Sequence, residues 1–218
     1  MDRAVLLAGD RYHVAQDAFR GVGGALEGAG LSVEYTTDCR ALDGDLLQET
    51  KLLALLRDGM EWPDGHDAPH RVWMEPHQED AIAAFVEGGG GFLPLHNSGW
   101  AYPWRGSYRR VLGGYYQTHG PIVPYEVEVV DPGHPVTAGV ERYEVVDEQH
   151  YLWFDLDRVR LLLKTRARDG REGPGGWAHE VGRGRVVYLA NGHTLDVLLH
   201  PTYQRLLGNA VRWLLRET

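Results

Sequence analysis

The sequence predicts a single α/β domain with an open, mostly parallel sheet, helices on both faces and an antiparallel extension. Three observations predict it. Short apolar runs of strand type alternate with helix-type stretches early in the chain. Strand-type runs dominate the middle, and a strongly amphipathic helix closes the chain. A length of 218 residues fits one domain, and a hydrophobic content of 43% suffices for a sizeable core.

Ala4 to Gly9 is short and apolar and is ended by Gly9-Asp10, the pattern of a buried strand. Val14 to Ala29 reads as a helix weakened by Gly21, Gly23 and Gly24. Leu31 to Thr36 alternates apolar and polar residues as a second strand does. The apolar run Leu52 to Leu56, within Asp45–Gly59, fits either a helix face or a third buried strand. Trp62 to His70 is rich in turn residues and reads as a loop. Pro76 suits a first helical position, Glu79 and Asp80 a first turn, and Ile82, Phe85 and Val86 one apolar face. The glycines Gly88 to Gly91 stop that helix. They follow a helix and precede a strand, the reverse of a phosphate cradle. Phe92 to Leu95 is then a core strand ending in His96-Asn97-Ser98, followed by a long loop with Trp100, Tyr102, Trp104 and Tyr108. Further strands are expected at Tyr125–Val130, Tyr143–Val146, Val159–Thr165 and Arg185–Ala190, with a polar, glycine-rich turn over Arg168–Gly176. In the closing helix Tyr203, Leu206, Leu207, Ala210, Val211 and Leu214 share one face, and Arg205, Arg212 and Arg216 face away.

Charge narrows the function classes. Acidic residues outnumber basic ones 31 to 22, a formal net charge of −9. A nucleic-acid binder needs a basic footprint to displace counterions, and docking on anionic membrane needs one too, so neither partner is expected. The local trio Arg105, Arg109 and Arg110 is the one basic cluster to set against this. The lone cysteine, Cys39, has no partner for an internal disulfide and reads as a bystander in a polar turn. The apolar run after Met1 is too short for a signal peptide, so a cytoplasmic location is expected.

The chemistry is expected beyond the carboxyl ends of the strands, where open α/β sheets bind ligands. His13, His96 and His193 each follow a core-type strand at that end. His119 lies in the glycine-flanked aromatic segment Gly113–His119, and Asp147-Glu148-Gln149-His150 follows a fifth strand. Imidazole transfers protons near neutral pH and is the commonest metal ligand. The set therefore fits a proton-transfer site, a site for a divalent metal such as zinc, or both, although no H-E-x-x-H or cysteine pair is present. His134 reads as a turn residue and His66, His70 and His77 as solvated; structural roles are favoured for His179 and His200. The aromatic residues Trp100, Tyr102, Trp104, Tyr108, Tyr115 and Tyr116 fit a surface on which sugar rings stack, and equally a subunit contact. A nucleophile elbow is poorly matched: Leu95-His96-Asn97-Ser98-Gly99 lacks the flanking glycine pattern.

The ordered blocks GFLPLHNS (Gly91–Ser98), LGGYYQTH (Leu112–His119), VEVVDPGHPVTAGV (Val127–Val140), YEVVDEQHY (Tyr143–Tyr151) and WAHEVGRGRVVYLANGH (Trp177–His193) resemble the ThuA-like, trehalose-utilisation family. The resemblance covers roughly Phe85 to Leu215; the first third matches in outline only. It implies a flavodoxin-like, class I glutamine-amidotransferase-like fold and a bacterial role in catabolism of trehalose and related disaccharides. It also implies a partner dehydrogenase that oxidises the sugar to a 3-keto form. The positions it places at the site are His96, His119, Asp147, Glu148 and His193, with His13. Amidotransferases of this fold carry a cysteine at the elbow; His96 stands in that neighbourhood here, so glutaminase activity is not expected. The combined reading gives the chemistry to His96, His193 and Glu148. Substrate contact goes to His13, His119, Trp100, Tyr116 and Asp147. The expected function is acid/base chemistry, with or without a metal, on a small-molecule keto-sugar or disaccharide derivative in a homo-oligomer. The alternatives are a non-catalytic sugar-binding or assembly module and a metal-dependent amide or ester hydrolase.

Overall fold

The computed structural model describes residues 1–217. Strand β1 (Arg3–Ala8) leads through helix α1 (Ala15–Gly28) to β2 (Ser32–Thr36). Helix α2 (Gly44–Gln48) and β3 (Thr50–Leu56) follow, then a small hairpin of β4 (Met60–Glu61) and β5 (Arg71–Val72). Helix α3 (Pro76–Glu87), β6 (Gly91–Pro94) and helix α4 (Ser107–Leu112) come next. Four strands follow in sequence: β7 (Gly114–Val129), β8 (Tyr143–Phe154), β9 (Arg160–Ala167) and β10 (Glu172–Val181). Strand β11 (Gly184–Leu189), helix α5 (Leu195–Leu198) and helix α6 (Pro201–Leu214) complete the chain.

One nine-stranded sheet runs in the order β2-β1-β3-β6-β11-β10-β9-β7-β8. The first five strands are parallel, in the order of a flavodoxin-like sheet, and the last four pair antiparallel. Leu52–Leu56, ambiguous by periodicity, lies in strand β3, the middle one of the five parallel strands. A run apolar at every position fits a strand covered on both faces. Leu52, Ala54 and Leu56 enter one core layer with α1 and α6, while Leu53 and Leu55 enter the other with α3 and α4. Burying each such side chain contributes about 1.5–3 kcal/mol.

The antiparallel half departs most from the sequence reading. Strand β7 includes Gly114–His119, expected as loop, and β8 runs on past Val146 to Phe154. Register shifts between Tyr116 and Thr118, and between His119 and Ile122, break the alternation that would have marked the strand. Strand β10 occupies Glu172–Gly176, within the expected turn, and continues to Val181. Its glycines serve close backbone approach: a Cβ on Gly176 would lie 2.8 Å from the Tyr188 carbonyl oxygen. Tyr108 lies not in a loop but on α4, fully buried, donating its hydroxyl to the Ser98 carbonyl at 2.6 Å. The arginine trio makes no basic patch, since Arg109 forms two bonds to Asp155 and Arg110 pairs with Glu87. Cys39 opens a short helical turn after β2, as expected, and its side chain is buried there.

Two side chains on one face of β10 hold the end of α4. Trp177 donates Nε1–H to the Leu112 carbonyl at 2.9 Å, and His179 Nε2 meets the Val111 carbonyl at 2.8 Å. Burial lowers the His179 pKa to about 4, with Arg158 adding to it and the Val111 hydrogen bond opposing. As pH falls, the unfolded chain takes up this proton first. The contribution is complete above about pH 6.5 and is lost between there and about pH 4, roughly 3 kcal/mol in all. In urea unfolding, His179→Gln, which keeps a donor for Val111, is expected to lose about 2–3 kcal/mol less than the wild type between pH 7 and pH 4.5.

Candidate active site

The site lies beyond the carboxyl ends of β1, β6 and β11, where the loops after three parallel strands meet the β7–β8 hairpin. Its first part is built around Asp10. The Asp10 Oδ1 accepts the backbone N–H groups of Tyr12 (2.8 Å) and His13 (3.0 Å) and faces His13 Nδ1 at 2.8 Å. Its Oδ2 accepts from Asn97 Nδ2 (2.6 Å) and from the Asp58 backbone N–H (3.1 Å). Burial alone would raise the Asp10 pKa, but the bond to His13, the imidazole charge and two backbone donors outweigh it and hold it low. Asp58, fully buried beside it, is pushed up to about 7 by burial and by the Asp10 charge.

His96 follows β6 with φ +46°, a left-handed conformation that costs a non-glycine residue about 1–3 kcal/mol. His96 Nδ1 faces the Ala190 carbonyl at 2.9 Å, so Nδ1 carries the hydrogen and Nε2 presents its lone pair. Full burial holds its pKa well below 6.5, with His150 and His13 pushing the same way, and the ring is neutral.

His193 follows β11 through Asn191 and Gly192. Gly192 has φ +136°, a conformation open to glycine. Asp147, fully buried, accepts the backbone N–H groups of Gly192 at 2.9 Å and His193 at 3.1 Å. Tyr203 closes the turn by donating to the Asn191 carbonyl at 2.8 Å. Burial raises the Asp147 pKa to about 6 against the pull of those amides.

Glu148 reaches in from β8. Its Oε2 lies 3.2 Å from His193 Nδ1 and 3.7 Å from both His96 Nε2 and His150 Nε2; Oε1 is 3.5 Å from His119 Nδ1. Burial opposes its ionisation, but the hydrogen bonds from His150 and His193 and the imidazole charges hold it well below the usual carboxylate range. The bond to Glu148 raises the His193 pKa above 6.5, against partial burial. The Glu148 carboxylate favours the protonated form of His193 while burial keeps His96 neutral, so the two imidazoles are set apart.

The sequence-predicted residues His13, His119, Glu148, His193 and Trp100 line one cavity of about 300 Å³, together with Tyr12, Asn97 and His150. His96 stands at its inner wall, its Nε2 3.4 Å from His193 Nδ1. Trp100 stacks on Tyr116 at 5.2 Å, and this pair separates the cavity from a neighbouring aromatic cleft of about 380 Å³ with Trp104, Tyr115, Gln117 and Trp153. Asp147 lies beneath the His193 turn, outside the cavity lining. His150, absent from the predicted set, stacks on His96 with centroids 4.1 Å apart. Its signal was the spacing: two residues from Glu148 on a strand puts both on one face. Asp10 and Asn97 sit on loops and left no such signal. His134 and His200 cap helical turns, His66, His70 and His77 are exposed, and His179 is structural. A larger groove, about 530 Å³, opens at the opposite end of the sheet against Asp45, Lys51 and Gly88–Gly90, away from these imidazoles.

One ligand atom each from His13, His96, His193 and Glu148 lies within 4.8 Å of the others, with Nδ1 of His193 3.1 Å from His13 Nε2 and 3.4 Å from His96 Nε2. They are the residues able to hold a cation. Asp147→Asn leaves only one oxygen for two backbone donors and faces the other with an amide. It is expected to cost about 1–3 kcal/mol in urea unfolding and to loosen the His193 turn, read as faster amide exchange at Gly192 and His193.

The fold has solved counterparts. A ThuA-like protein from Parabacteroides merdae superposes with a TM-score of 0.78 at 17% identity, covering 99% of this chain and 90% of that one. A ThuA-like protein from Bacteroides uniformis gives 0.73 at 22% identity, covering 97% and 90%. A β-galactosidase from Rahnella sp. R3 gives 0.67 at 16% identity over 97% of this chain but 31% of that one. At these identities the likeness is one of fold. No curated protein matches the chain by sequence. The family model described as ThuA, trehalose utilisation, matches residues 5–214, and the chain therefore belongs to the ThuA family, which is linked to carbohydrate metabolism through trehalose utilisation.

Proposed function

We propose that this protein carries out acid–base chemistry on a keto-sugar, beginning with proton transfer at the carbon next to the carbonyl. The supporting observation is the His193–Glu148–His96 cluster, with Nδ1 of His193 3.2 Å from one Glu148 oxygen and 3.4 Å from His96 Nε2. A carbonyl at sugar C3 acidifies the C2–H bond. The neutral His96 imidazole has a free lone pair to take that proton. The C–H electron pair becomes the C=C bond, and the carbonyl π pair moves onto oxygen. That oxygen takes a proton from His193, whose imidazolium is favoured by Glu148. In a disaccharide the enol re-forms its carbonyl by expelling the glycosidic oxygen from C1. The enol proton returns to His193, the C2–C3 π pair becomes the C1=C2 bond, and the C1–O pair leaves on oxygen. That oxygen takes up the proton His96 removed from C2 and departs as the free sugar. General acid–base groups of this kind each contribute about 10²–10⁴ in rate. A divalent cation at the cluster would act as a Lewis acid on the carbonyl oxygen.

His13 and His119 on the cavity wall are the proposed contacts to sugar hydroxyls, and Trp100 with Tyr116 the stacking surface for a ring. Asp147 acts through His193 as a positioning residue. The keto group has to come from an oxidation, so a sugar dehydrogenase acting earlier, in the cytoplasm, is the proposed pathway partner.

In D2O, a 3-keto-disaccharide is expected to gain deuterium at C2 in the presence of the protein, and chromatography tests for release of the free sugar. His193→Ala and His96→Gln are expected to slow the exchange by about 10²–10⁴. Wild-type exchange in either variant removes that residue from the mechanism, and saturable sugar binding without exchange reassigns the protein as a binding module.

A further inference from the structure

We infer that the cluster is a divalent-cation centre of the zinc type, with Nε2 of His13, Nε2 of His96, Nδ1 of His193 and one oxygen of Glu148 as its ligands. Hydrogen accounting is the first argument. His96 gives its Nδ1–H to the Ala190 carbonyl. His13 Nδ1 faces an Asp10 oxygen at 2.8 Å, which only accepts, and the Asn97 Nδ2 group at 2.9 Å, which donates to the other Asp10 oxygen at 2.6 Å; the carboxylate therefore assigns the hydrogen to Nδ1 of His13. Both therefore aim bare Nε2 lone pairs at the same point. Glu148, ionised, only accepts. The fourth atom, His193 Nδ1, lies 3.1 Å from His13 Nε2, 3.4 Å from His96 Nε2 and 3.2 Å from Glu148 Oε2. A single hydrogen on His193 satisfies one of these contacts and leaves electron pairs facing one another in the others. A cation at the common centre satisfies all of them.

Shape is the second argument. Ligands about 2.0–2.1 Å from a tetrahedral zinc are about 3.3–3.4 Å apart. Four of the six separations between these donors are 3.1, 3.2, 3.4 and 3.7 Å, the last between His96 and Glu148, and one ligand atom from each of the four residues lies within 4.8 Å of the others. The surroundings are those of metal-bound histidines, whose second ring nitrogen donates to a carboxylate or a backbone carbonyl. Asp10 and the Ala190 carbonyl fill these two roles. Three imidazoles and one carboxylate suit zinc and its first-row neighbours; magnesium and calcium prefer sets made of oxygen. His119 and His150 remain outside the four as groups free to move protons. With the keto-sugar reading, the cation takes the place of the His193 imidazolium opposite the carbonyl oxygen, and, because the His96 lone pair is then engaged, the C2 proton passes to His119 or His150 on the cavity wall; the assignment itself stands on the donor geometry alone.

The full chain, stripped with EDTA and dialysed, is titrated with zinc sulfate by calorimetry at pH 7.5. One zinc per chain is expected, with a Tm rise of about 5–10 °C at hundredfold excess over Kd and no such rise with magnesium. His193→Ala and Glu148→Gln are expected to abolish the saturable site. Asp10→Asn keeps all four ligands and is expected to weaken zinc by about 10–100-fold. The double variant His66→Ala/His70→Ala, at exposed positions, is expected to bind as the wild type does. Circular dichroism checks the fold of each variant, and His193→Ala, at a part-buried position whose side chain forms no hydrogen bond to backbone among the described residues, serves if Asp10→Asn does not fold. No zinc uptake, uptake retained in both His193→Ala and Glu148→Gln, or uptake lost with His66 and His70 overturns the assignment. Deuterium exchange by a protein that takes up no zinc would leave the acid–base function standing while this centre fell; zinc uptake without exchange would do the reverse.

Discussion

The negative charge of Glu148, held among four imidazoles, is the interaction around which the pocket is organised. Its carboxylate lies within 3.2–3.7 Å of nitrogens on His193, His96, His150 and His119. A half-buried carboxylate without such partners would tend to protonate. Here the imidazoles hold it ionised, and it in turn raises His193 while His96, wholly buried, stays neutral. Two rings of one chemical type thus acquire different protonation from their surroundings.

That arrangement needs support from below. Asp10 orients His13 and reaches across to Asn97 and Asp58, and Asp147 holds the turn that presents His193. Each is a buried carboxylate whose desolvation is offset by backbone N–H groups. Their removal would leave unpaired donors in a region of low dielectric, where such groups are costly. The left-handed backbone at His96 is a further local cost, absorbed by the parallel sheet packed on both faces beneath it.

The antiparallel half of the sheet completes the pocket. Strand β8 brings in Glu148 and His150, and β7 brings in Tyr116 and His119, the latter paired across the ladder with His150. The parallel half supplies three imidazoles, and the hairpin supplies the carboxylate and the aromatic wall. Trp100, stacked against Tyr116 and Tyr12, joins the two halves at the rim.

The sequence by itself determined the fold class, an open and mostly parallel α/β sheet, and the fact that His13, His96 and His193 end strands on one side; the flavodoxin-like order was implied by the family resemblance. Those features are local: apolar runs, caps and strand-ending turns leave their mark within a few residues. It also marked Glu148, through the carboxylate pair that follows a strand. Only the tertiary structure decided that β7 and β8 are long, because bulges at Gln117 and near Gly120 erase the alternation that reveals strands. Only it separated Asp147 from Glu148: adjacent residues on a strand point to opposite faces, so one lies under the His193 turn and the other enters the cavity. The convergence of His13, His96, His193 and Glu148 was beyond any sequence window for a simple reason. Their contacts join residues 45 to 180 positions apart, and strand order alone sets those distances.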